Sequence, residues 1–261
     1  MLNSKLNYML NRKKLEIAIK NKSIPQFVYK YQSQKFIESL LLKNHLWFSS
    51  PLTFNDPFDC QISLNTENTH DEIIKYFKDL DVDESNKQLV INTFVNDSDK
   101  WHKHLNQSAR DAVSSFGICC FSKKEDDILL WSHYGDSHKG VCIKFDILKD
   151  TVFFSNLAPV KYDKNYPVFN HIKDPNATKT VLMLTKSESW AYEEEFRVIK
   201  FEKTGGIKIA KIAIVEITFG CRCEQNYIDN IISLTKKLKY NLIYRKAKIN
   251  KSGFILDFEI I

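Results

Sequence analysis

The fold is decided by one thirteen-residue stretch, IKIAKIAIVEITF, which runs from Ile207 to Phe219. Apolar residues alternate along it, and alternation with a period of two is the pattern of a half-buried strand. It is the strongest signal of this kind in the chain and predicts one long strand. Before it, Glu193 to Phe201 also predicts a strand, and after it Glu224 to Lys239 predicts an amphipathic helix.

Outward from this stretch, short strands and helices are mixed in no regular order. The other predicted strands are Phe27 to Tyr31, His45 to Ser50, Phe116 to Ser122, Gly140 to Asp146, Pro159 to Asp163, Leu242 to Arg245 and Phe254 to Ile260. The other predicted helices are Ser33 to Leu41, Asp126 to Tyr134 and Asp174 to Ser187. The order lacks the regular alternation of a doubly wound sheet, and no glycine-rich phosphate-binding loop occurs. We therefore predict an α+β fold with mixed or antiparallel sheets.

The chain divides into a short N-terminal segment and one larger unit. Residues 1–24 predict a basic amphipathic helix that stops at Pro25. Residues 25–261 predict a single elaborated α+β domain. Within it, residues from about 66 to 110 are polar and helical in period, which predicts a helical insertion between β elements.

Composition and charge exclude several classes of protein. With 43% hydrophobic and 27% charged residues the chain is an ordinary globular sequence. Its net charge of +6 is uneven, because residues 1–24 and 230–251 are strongly basic and the body between them is mildly acidic. This arrangement argues against a protein built around a nucleic-acid-binding face, but leaves an anionic partner at the ends open.

Membrane and metal association are not indicated by the sequence. No run approaches the roughly 18 apolar residues of a membrane helix, so we predict a protein without membrane contact. The six cysteines show no CxxC spacing, which indicates free thiols in the reducing cytoplasm and no metal site.

The first unusual segment is FNDPFD, Phe54 to Asp59. Asn55 and Asp56 before Pro57 are typical of a turn in which the Asx side chains accept backbone hydrogen bonds. The segment is either a well-made turn on an aromatic base or a rigid loop that presents Asn55 and Asp56 to a ligand.

The second segment, LLWSHYGDSHKG, spans residues 129–140. On a helical turn Trp131 and Tyr134 flank one edge, which suits stacking on a planar ligand such as a nucleobase or nicotinamide. The alternative is that Trp131 belongs to the core and the following residues form a solvated loop.

The third segment, KSESWAYEEEFRV, spans Lys186 to Val198 and includes Trp190. If a strand begins at Glu193, then Glu193, Glu195 and Arg197 share one face, and their charges must be offset. A pair between Arg197 and one glutamate would do this structurally. In the alternative, one glutamate orients a sugar hydroxyl or acts as a general base, with Arg197 and Lys186 as charge partners.

Together these ordered segments resemble a bacterial family known only as a domain of unknown function, DUF family 2971. The resemblance runs from about Tyr29 to Gly220. It implies a protein found near mobile elements and phage-defence genes.

A second resemblance, to ADP-ribosyltransferases, bears on mechanism. A strand with an aromatic-basic cluster, a helix, a strand ending in serines and a late strand opening on glutamates are similar to the layout of those enzymes. The resemblance implies that Lys30 or Tyr31 holds NAD and that Ser49 and Ser50 line the nicotinamide side. It also implies that Glu195 or Glu193 is catalytic. Lys30 departs from the histidine or arginine expected there, and an ammonium cannot reproduce a bidentate guanidinium contact.

Three functions follow as hypotheses. The leading one is an NAD-handling effector of the ADP-ribosyltransferase type, a toxin or phage-defence protein, that binds a nucleotide and modifies a nucleic-acid or protein acceptor. The second is a non-catalytic module that binds a ligand or phage protein. The third is a metal-dependent nuclease that uses Asp56, Asp59, Glu193, Glu195 and Lys186.

Overall fold

The structure is a computed structural model, and it describes residues 2–61, 63–64, 68–69, 71–72, 74–75, 83–95, 97–170, 173 and 183–261. Its helices are α1 (Leu2–Lys20), α2 (Gln34–Lys43), α3 (Glu84–Val95), α4 (Ser98–Ser114), α5 (Ile128–His133) and α6 (Gln225–Lys237). The first strands are β1 (Phe27–Gln32), β2 (His45–Phe48), β3 (Ser63–Leu64), β4 (Phe116–Ser122), β5 (Val141–Asp146), β6 (Ala158–Pro159) and β7 (Lys161–Asp163). The remaining strands are β8 (Val168–Phe169), β9 (Thr185–Ser187), β10 (Glu195–Phe201), β11 (Gly205–Lys208), β12 (Ile214–Phe219), β13 (Ile243–Ile249) and β14 (Leu256–Ile260).

An eight-stranded sheet forms the centre of the molecule, in the order β14-β13-β12-β5-β1-β4-β10-β6. Only the β12–β13 pair within it is parallel, so the sheet is mixed. Helices pack beside this sheet without alternating with its strands along the chain. The α+β class predicted from the sequence is confirmed.

The stretch from Ile207 to Phe219 is two strands and not one. Its first part belongs to β11, which pairs with β2 in a separate two-stranded sheet, and its second part is β12 of the main sheet. Between them Lys211–Ala213 forms a 3₁₀ turn. The Asp150 carboxylate accepts a hydrogen bond of 2.7 Å from the Ala210 amide, which holds the backbone in the bend. Apolar alternation continues through the bend, so the pattern alone does not reveal it.

The two faces of the sheet differ in chemistry. One face is apolar and packs against α1, α2 and α6, with Val28, Ile143 and Ile217 fully or almost fully buried. On the opposite face, a row of side chains from five neighbouring strands is mostly polar: Glu195, Ser122, Tyr29, Lys144 and Glu216. Residues directly opposite one another in a sheet project to the same side, so this row lies on one surface.

The described residues of the insertion and of the N-terminal segment are mostly helical. Helices α3 and α4 lie between β3 and β4, and α4 contacts β4 and the 3₁₀ turn Pro51–Thr53. Much of the stretch from 66 to 82, and residues 174–182 of the helix predicted to end at Ser187, lie outside the described residues. Residues 185–187 form strand β9 instead of a helix. Among the described helices, none has the length and apolarity needed to cross a bilayer.

Candidate functional site

A cavity of about 190 Å³ lies on the polar face of the sheet. Its lining residues are Tyr29, Lys30, Tyr31, Phe54, Asn55, Asp59, Cys120, Phe121, Ser122, Leu130, Tyr134, Lys186, Glu193 and Glu195. All three unusual sequence segments contribute to this lining. Segments far apart in the chain therefore meet at one site.

The floor of the cavity is built by three adjacent strands. Tyr29 of β1 lies opposite Ser122 of β4, and Ser122 lies opposite Glu195 of β10. Strand register thus fixes the three side chains in one line on the same face.

Two short local motifs position the residues that form the walls of the cavity. The Asp56 carboxylate accepts a 2.9 Å hydrogen bond from the Phe58 amide, which closes the turn that carries Asn55. The Asp127 carboxylate accepts hydrogen bonds from the Leu129 and Leu130 amides and caps α5. This helix supplies Leu130 and, at its C-terminal end, Tyr134.

The run of three glutamates contains a bend. Glu193 ends a 3₁₀ turn, Glu194 is left-handed with φ 41°, and the strand begins only at Glu195. The strand predicted from Glu193 therefore starts two residues later. The Ser122 hydroxyl donates to the Glu193 carbonyl at 2.6 Å, and the Glu195 amide donates to the Tyr162 hydroxyl at 2.8 Å. These bonds satisfy the backbone on both sides of the bend.

Lys186 joins the two buried glutamates. Its Nζ lies 2.5 Å from Oε2 of Glu193 and 3.1 Å from Oε2 of Glu195. Asp59 Oδ2 is 3.9 Å away, and the Trp190 ring centroid is 4.9 Å away. One ammonium group therefore serves two carboxylates at the cavity floor.

Arg197 lies behind the cavity and is fully buried. Its two terminal nitrogens bind the two Asp59 carboxylate oxygens at 2.9 and 2.6 Å. Its Nε and Nη2 bind the two Glu195 oxygens at 2.7 and 3.0 Å. Both pairs are bidentate, the geometry that guanidinium groups favour. The predicted pair between Arg197 and one glutamate is thus formed with Glu195.

The positive and negative charges of this cluster do not balance. Asp59, Glu193 and Glu195 supply three carboxylates, and Lys186 and Arg197 supply two cations. The cluster is neutral only when one carboxyl group is protonated. Burial, together with the charge of Glu195, raises the pKa of Glu193 above its ordinary value, although Lys186 opposes the shift.

Glu195 and Tyr134 respond differently to the same burial. Burial alone would raise the pKa of Glu195, but Arg197 and Lys186 lower it to about 2. Burial and the nearby Glu193 raise the pKa of Tyr134, so its hydroxyl stays protonated and donates to Glu193 Oε1 at 2.9 Å. Two carboxyl groups with opposite pKa shifts thus share one lysine, which is the arrangement expected of an acid–base pair.

The lowered pKa of Glu195 predicts that the stability of the fold depends on pH. Because folding lowers the pKa of Glu195 from 4.5 to about 2, its stabilisation is present above pH 4.5 and is lost as the pH falls through that interval. Carboxyl-carbon NMR, with the Glu195 signal assigned by its absence in Glu195→Gln, measures this titration in the folded protein. A Glu195 carboxyl group that titrates at its ordinary value would contradict the bidentate pairing with Arg197.

The structure brings together some of the predicted site residues and separates others. Lys30, Tyr31, Asn55, Tyr134, Lys186, Glu193 and Glu195 line the cavity. Among these, Lys30 and Tyr31 have polar ends that are already engaged: the Lys30 ammonium donates to the Cys120 carbonyl and the Tyr31 hydroxyl to the Lys124 carbonyl. A direct role for either group in holding a ligand would require breaking these bonds.

Ser49 and Ser50 lie outside the cavity lining. The backbone of Ser49 exchanges two hydrogen bonds with Ile118 of β4, and Ser50 precedes the 3₁₀ turn Pro51–Thr53. Strand β2 pairs with β11, and its end meets β4 at Ile118, four residues before the Ser122 of the cavity floor. The Asp56 side chain is occupied in its turn and is also outside the lining.

The Trp131 ring is fully buried, so it presents no stacking edge to the cavity. Its Nε1 donates to the Glu125 carbonyl, and its ring packs edge-on against Tyr31. Its helical spacing fits a core position as well as a binding edge, and the structure shows the core position. Trp190 is half-buried and borders Lys186 from outside the lining.

Several lining residues were not among those proposed from the sequence. Tyr29, Cys120 and Ser122 emerge only once strand register is known, because they align across β1, β4 and β10. From the sequence, Asp59 is predicted only as a metal ligand, because its buried cation partner Arg197 lies 138 positions away in the chain. In the described part of the chain, no group of three or more His, Cys, Asp or Glu side chains is arranged to hold a metal ion.

Comparison with known proteins gives one match. Residues 130–198 match the model of a family described as a protein of unknown function, DUF2971. That range contains most of the second and third segments, whereas FNDPFD lies before it. No curated protein and no solved structure matches the chain. The family resemblance inferred from the motifs is confirmed over residues 130–198, where the chain is similar to this family.

Proposed function

We propose that the cavity binds the nicotinamide end of NAD and that the chain is an effector of the ADP-ribosyltransferase type. The observation that carries the proposal is the Glu193–Lys186–Glu195 cluster at the floor of an aromatic cavity. Cleavage of the nicotinamide–ribose bond needs negative charge beside the ribose and exclusion of bulk water. The buried carboxylates of Glu193 and Glu195 supply the negative charge, and the aromatic walls would shield the reacting bond once a ring is bound.

The charge of the cluster suits the transition state of that reaction. When all five ionisable side chains are charged, three carboxylates face two cations, which leaves one negative charge. As the bond from ribose C1′ to the nicotinamide nitrogen breaks, its electron pair leaves with nicotinamide and positive charge grows on the ribose. The surplus negative charge would stabilise that positive charge in a medium of low dielectric constant.

The two glutamates suit different roles. Both oxygens of Glu195 bind Arg197, so Glu195 serves as a fixed ionised group that positions Lys186. Among the described residues, the Glu193 carboxylate pairs with Lys186 and Tyr134 and with no arginine, and its raised pKa suits a group that takes up a proton during the reaction. We assign Glu193 as the base that accepts the proton from the acceptor when the acceptor attacks C1′.

The size and lining of the cavity limit what it holds. At about 190 Å³ it is smaller than the roughly 300–1,000 Å³ of sites for drug-sized ligands. Tyr29, Phe54 and Tyr134 offer planar apolar surfaces, which suit a single ring such as nicotinamide. The rest of the dinucleotide would extend beyond the mouth.

The proposal predicts a selective effect of Glu193→Gln. In wild-type protein incubated with NAD and a mixture of DNA, RNA and lysate protein, mass spectrometry should detect free nicotinamide and a mass gain on one acceptor. Loss of the general base should lower the rate of nicotinamide release about a hundredfold or more. Glu194→Gln is the matched control, because this neighbouring side chain pairs with Lys123 and Lys124 away from Lys186. Its rate should stay near that of the wild type.

Two other outcomes point to different functions. Saturable NAD binding to folded protein without nicotinamide release would reject the transferase and favour a non-catalytic ligand sensor. Cleavage of nucleic acid that stops in chelator, with no NAD consumption, would favour the nuclease. Equal loss of activity in Glu193→Gln and Glu194→Gln would reject the specific role of Glu193.

A further inference from the structure

Four segments far apart in the chain meet at one end of the fold. They are residues 43–45, 149–150, 208–211 and 236–240. The Asp150 carboxylate accepts from the Ala210 amide at 2.7 Å, and the Asn44 carbonyl accepts from the Ile209 amide at 2.8 Å. Lys211 donates to the Leu238 carbonyl, and the Tyr240 hydroxyl donates to Asn44 Oδ1 at 2.7 Å. Direct hydrogen bonds therefore join all four segments into one surface.

This surface concentrates positive charge. Its seven lysines, which we call the lysine ridge, are Lys43, Lys149, Lys208, Lys211, Lys236, Lys237 and Lys239. The same segments contain one acid, Asp150, whose carboxylate is engaged by the Phe153 and Ala210 amides. All the ridge lysines except the half-buried Lys211 are exposed. Within the described ranges, none of the seven forms an ion pair with a carboxylate.

Basic residues that are separated along the sequence lie together in the fold. Basic ends around an acidic body argue against a nucleic-acid-binding face when the charges are read in chain order. In the fold, three lysines of the basic segment 230–251 lie beside lysines from the body of the chain. Helix α1 also contacts the turn Ile147–Lys149, which brings the basic N-terminal segment to the same end. The positive charge is therefore gathered in space.

We infer that the lysine ridge binds the phosphate backbone of nucleic acid. Lysine is a flexible point charge without the fixed fork of arginine, so an array of lysines suits repeated phosphates better than one enclosed anion. The seven lysines come from four joined segments and so offer several separate phosphate contacts, as a backbone of successive phosphates requires. None of the ridge lysines lines the cavity, so this inference does not depend on NAD chemistry.

The exposed apolar side chains beside the ridge make an anionic membrane surface the second partner to consider. Leu42 and Ile212 are 56% and 68% exposed and adjoin Lys43 and Lys211. Such residues beside lysines would also suit an anionic membrane surface. However, membrane-surface binding typically uses the continuous apolar face of an amphipathic helix, whereas the ridge is built from helix ends and turns. Nucleic acid is the better match, and vesicles enter the test.

The test compares two triple variants with equal loss of charge. The ridge variant is Lys236→Gln, Lys237→Gln and Lys239→Gln, and the control is Lys123→Gln, Lys161→Gln and Lys248→Gln, whose lysines are exposed but paired with acids. Fluorescence anisotropy measures binding of a labelled DNA duplex over a series of KCl concentrations. Each lost phosphate contact should reduce the slope of log K against log salt by about 0.9. The ridge variant should therefore lose about two to three in slope and at least about tenfold in affinity at moderate salt.

Every other result overturns the inference. Equal weakening in both triple variants would show a general effect of net charge. Absence of duplex binding by the wild type would reject the ridge as a nucleic-acid surface. Binding to phosphatidylserine vesicles that only the ridge variant loses, without duplex binding, would assign the ridge to membranes. Circular dichroism confirms that each variant is folded. NAD turnover, if present, should be unchanged in the ridge variant, which separates this test from that of the proposed function.

Discussion

Replacement of Arg197 by leucine is expected to lower the free energy of unfolding by about 3–5 kcal/mol. Arg197 is fully buried and makes bidentate pairs with Asp59 and Glu195. Leucine fills part of the space but leaves both carboxylates buried, with Lys186 as the remaining cation of the cluster. The cost of burying an uncompensated charge is the main reason for the loss. Urea unfolding followed by tryptophan fluorescence measures it.

Two further variants separate charge from packing. Arg222→Leu is the control, because Arg222 is exposed, and it should change stability by about 0.5 kcal/mol or less. Arg197→Leu combined with Asp59→Leu removes one of the two carboxylates that have lost their arginine partner. The double variant should therefore be more stable than Arg197→Leu alone. If instead the second substitution adds its full cost to the first, lost packing and not uncompensated charge explains the result.

Trp131→Ala is expected to cost a similar amount, about 3–5 kcal/mol. The ring is fully buried, its Nε1 donates to the Glu125 carbonyl at 2.9 Å, and it packs edge-on against Tyr31 at 5.2 Å between centroids. Alanine leaves a cavity beneath α5 and leaves the Glu125 carbonyl without its hydrogen-bond donor. Thermal and urea unfolding of the purified variant give the change in stability.

Trp47→Ala is the matched control for this prediction. Trp47 lies on β2 and is 65% exposed, so its removal should cost about 1 kcal/mol or less. A Trp131→Ala protein that keeps wild-type stability and loses only ligand binding would place the ring at a binding edge. Such a result would contradict the core position.

The sequence predicted most elements near the site because their patterns are local. The strand around Tyr29 to Tyr31, the strand Phe116 to Ser122 and the helix after Asp127 all occur close to their predicted positions. Asp127 is an N-cap and Asp56 closes a turn, and both depend on residues two or three positions away. Short-range rules of this kind can be applied without knowledge of the fold.

The features that could not be predicted from the sequence depend on contacts between residues that are far apart in the chain. At the break between β11 and β12 the Ala210 amide donates a hydrogen bond to the Asp150 carboxylate, and alternation of apolar residues continues through the break. The partnership of Asp59 with Arg197, and the alignment of Ser122 with Tyr29 and Glu195, follow from strand order in the sheet. Strand order is a global property, so no local pattern contains it.

The Asp59–Arg197 pair spans 138 positions of the chain. Closing a loop of this length costs conformational entropy, which the folded segments between the two residues must offset. A nascent chain that has not yet reached β10 holds Asp59 without its arginine and has neither Glu193 nor Glu195 at the floor of the cavity. The cluster therefore forms only in molecules whose synthesis has passed Arg197, and a fragment released before that point carries none of the chemistry proposed for it.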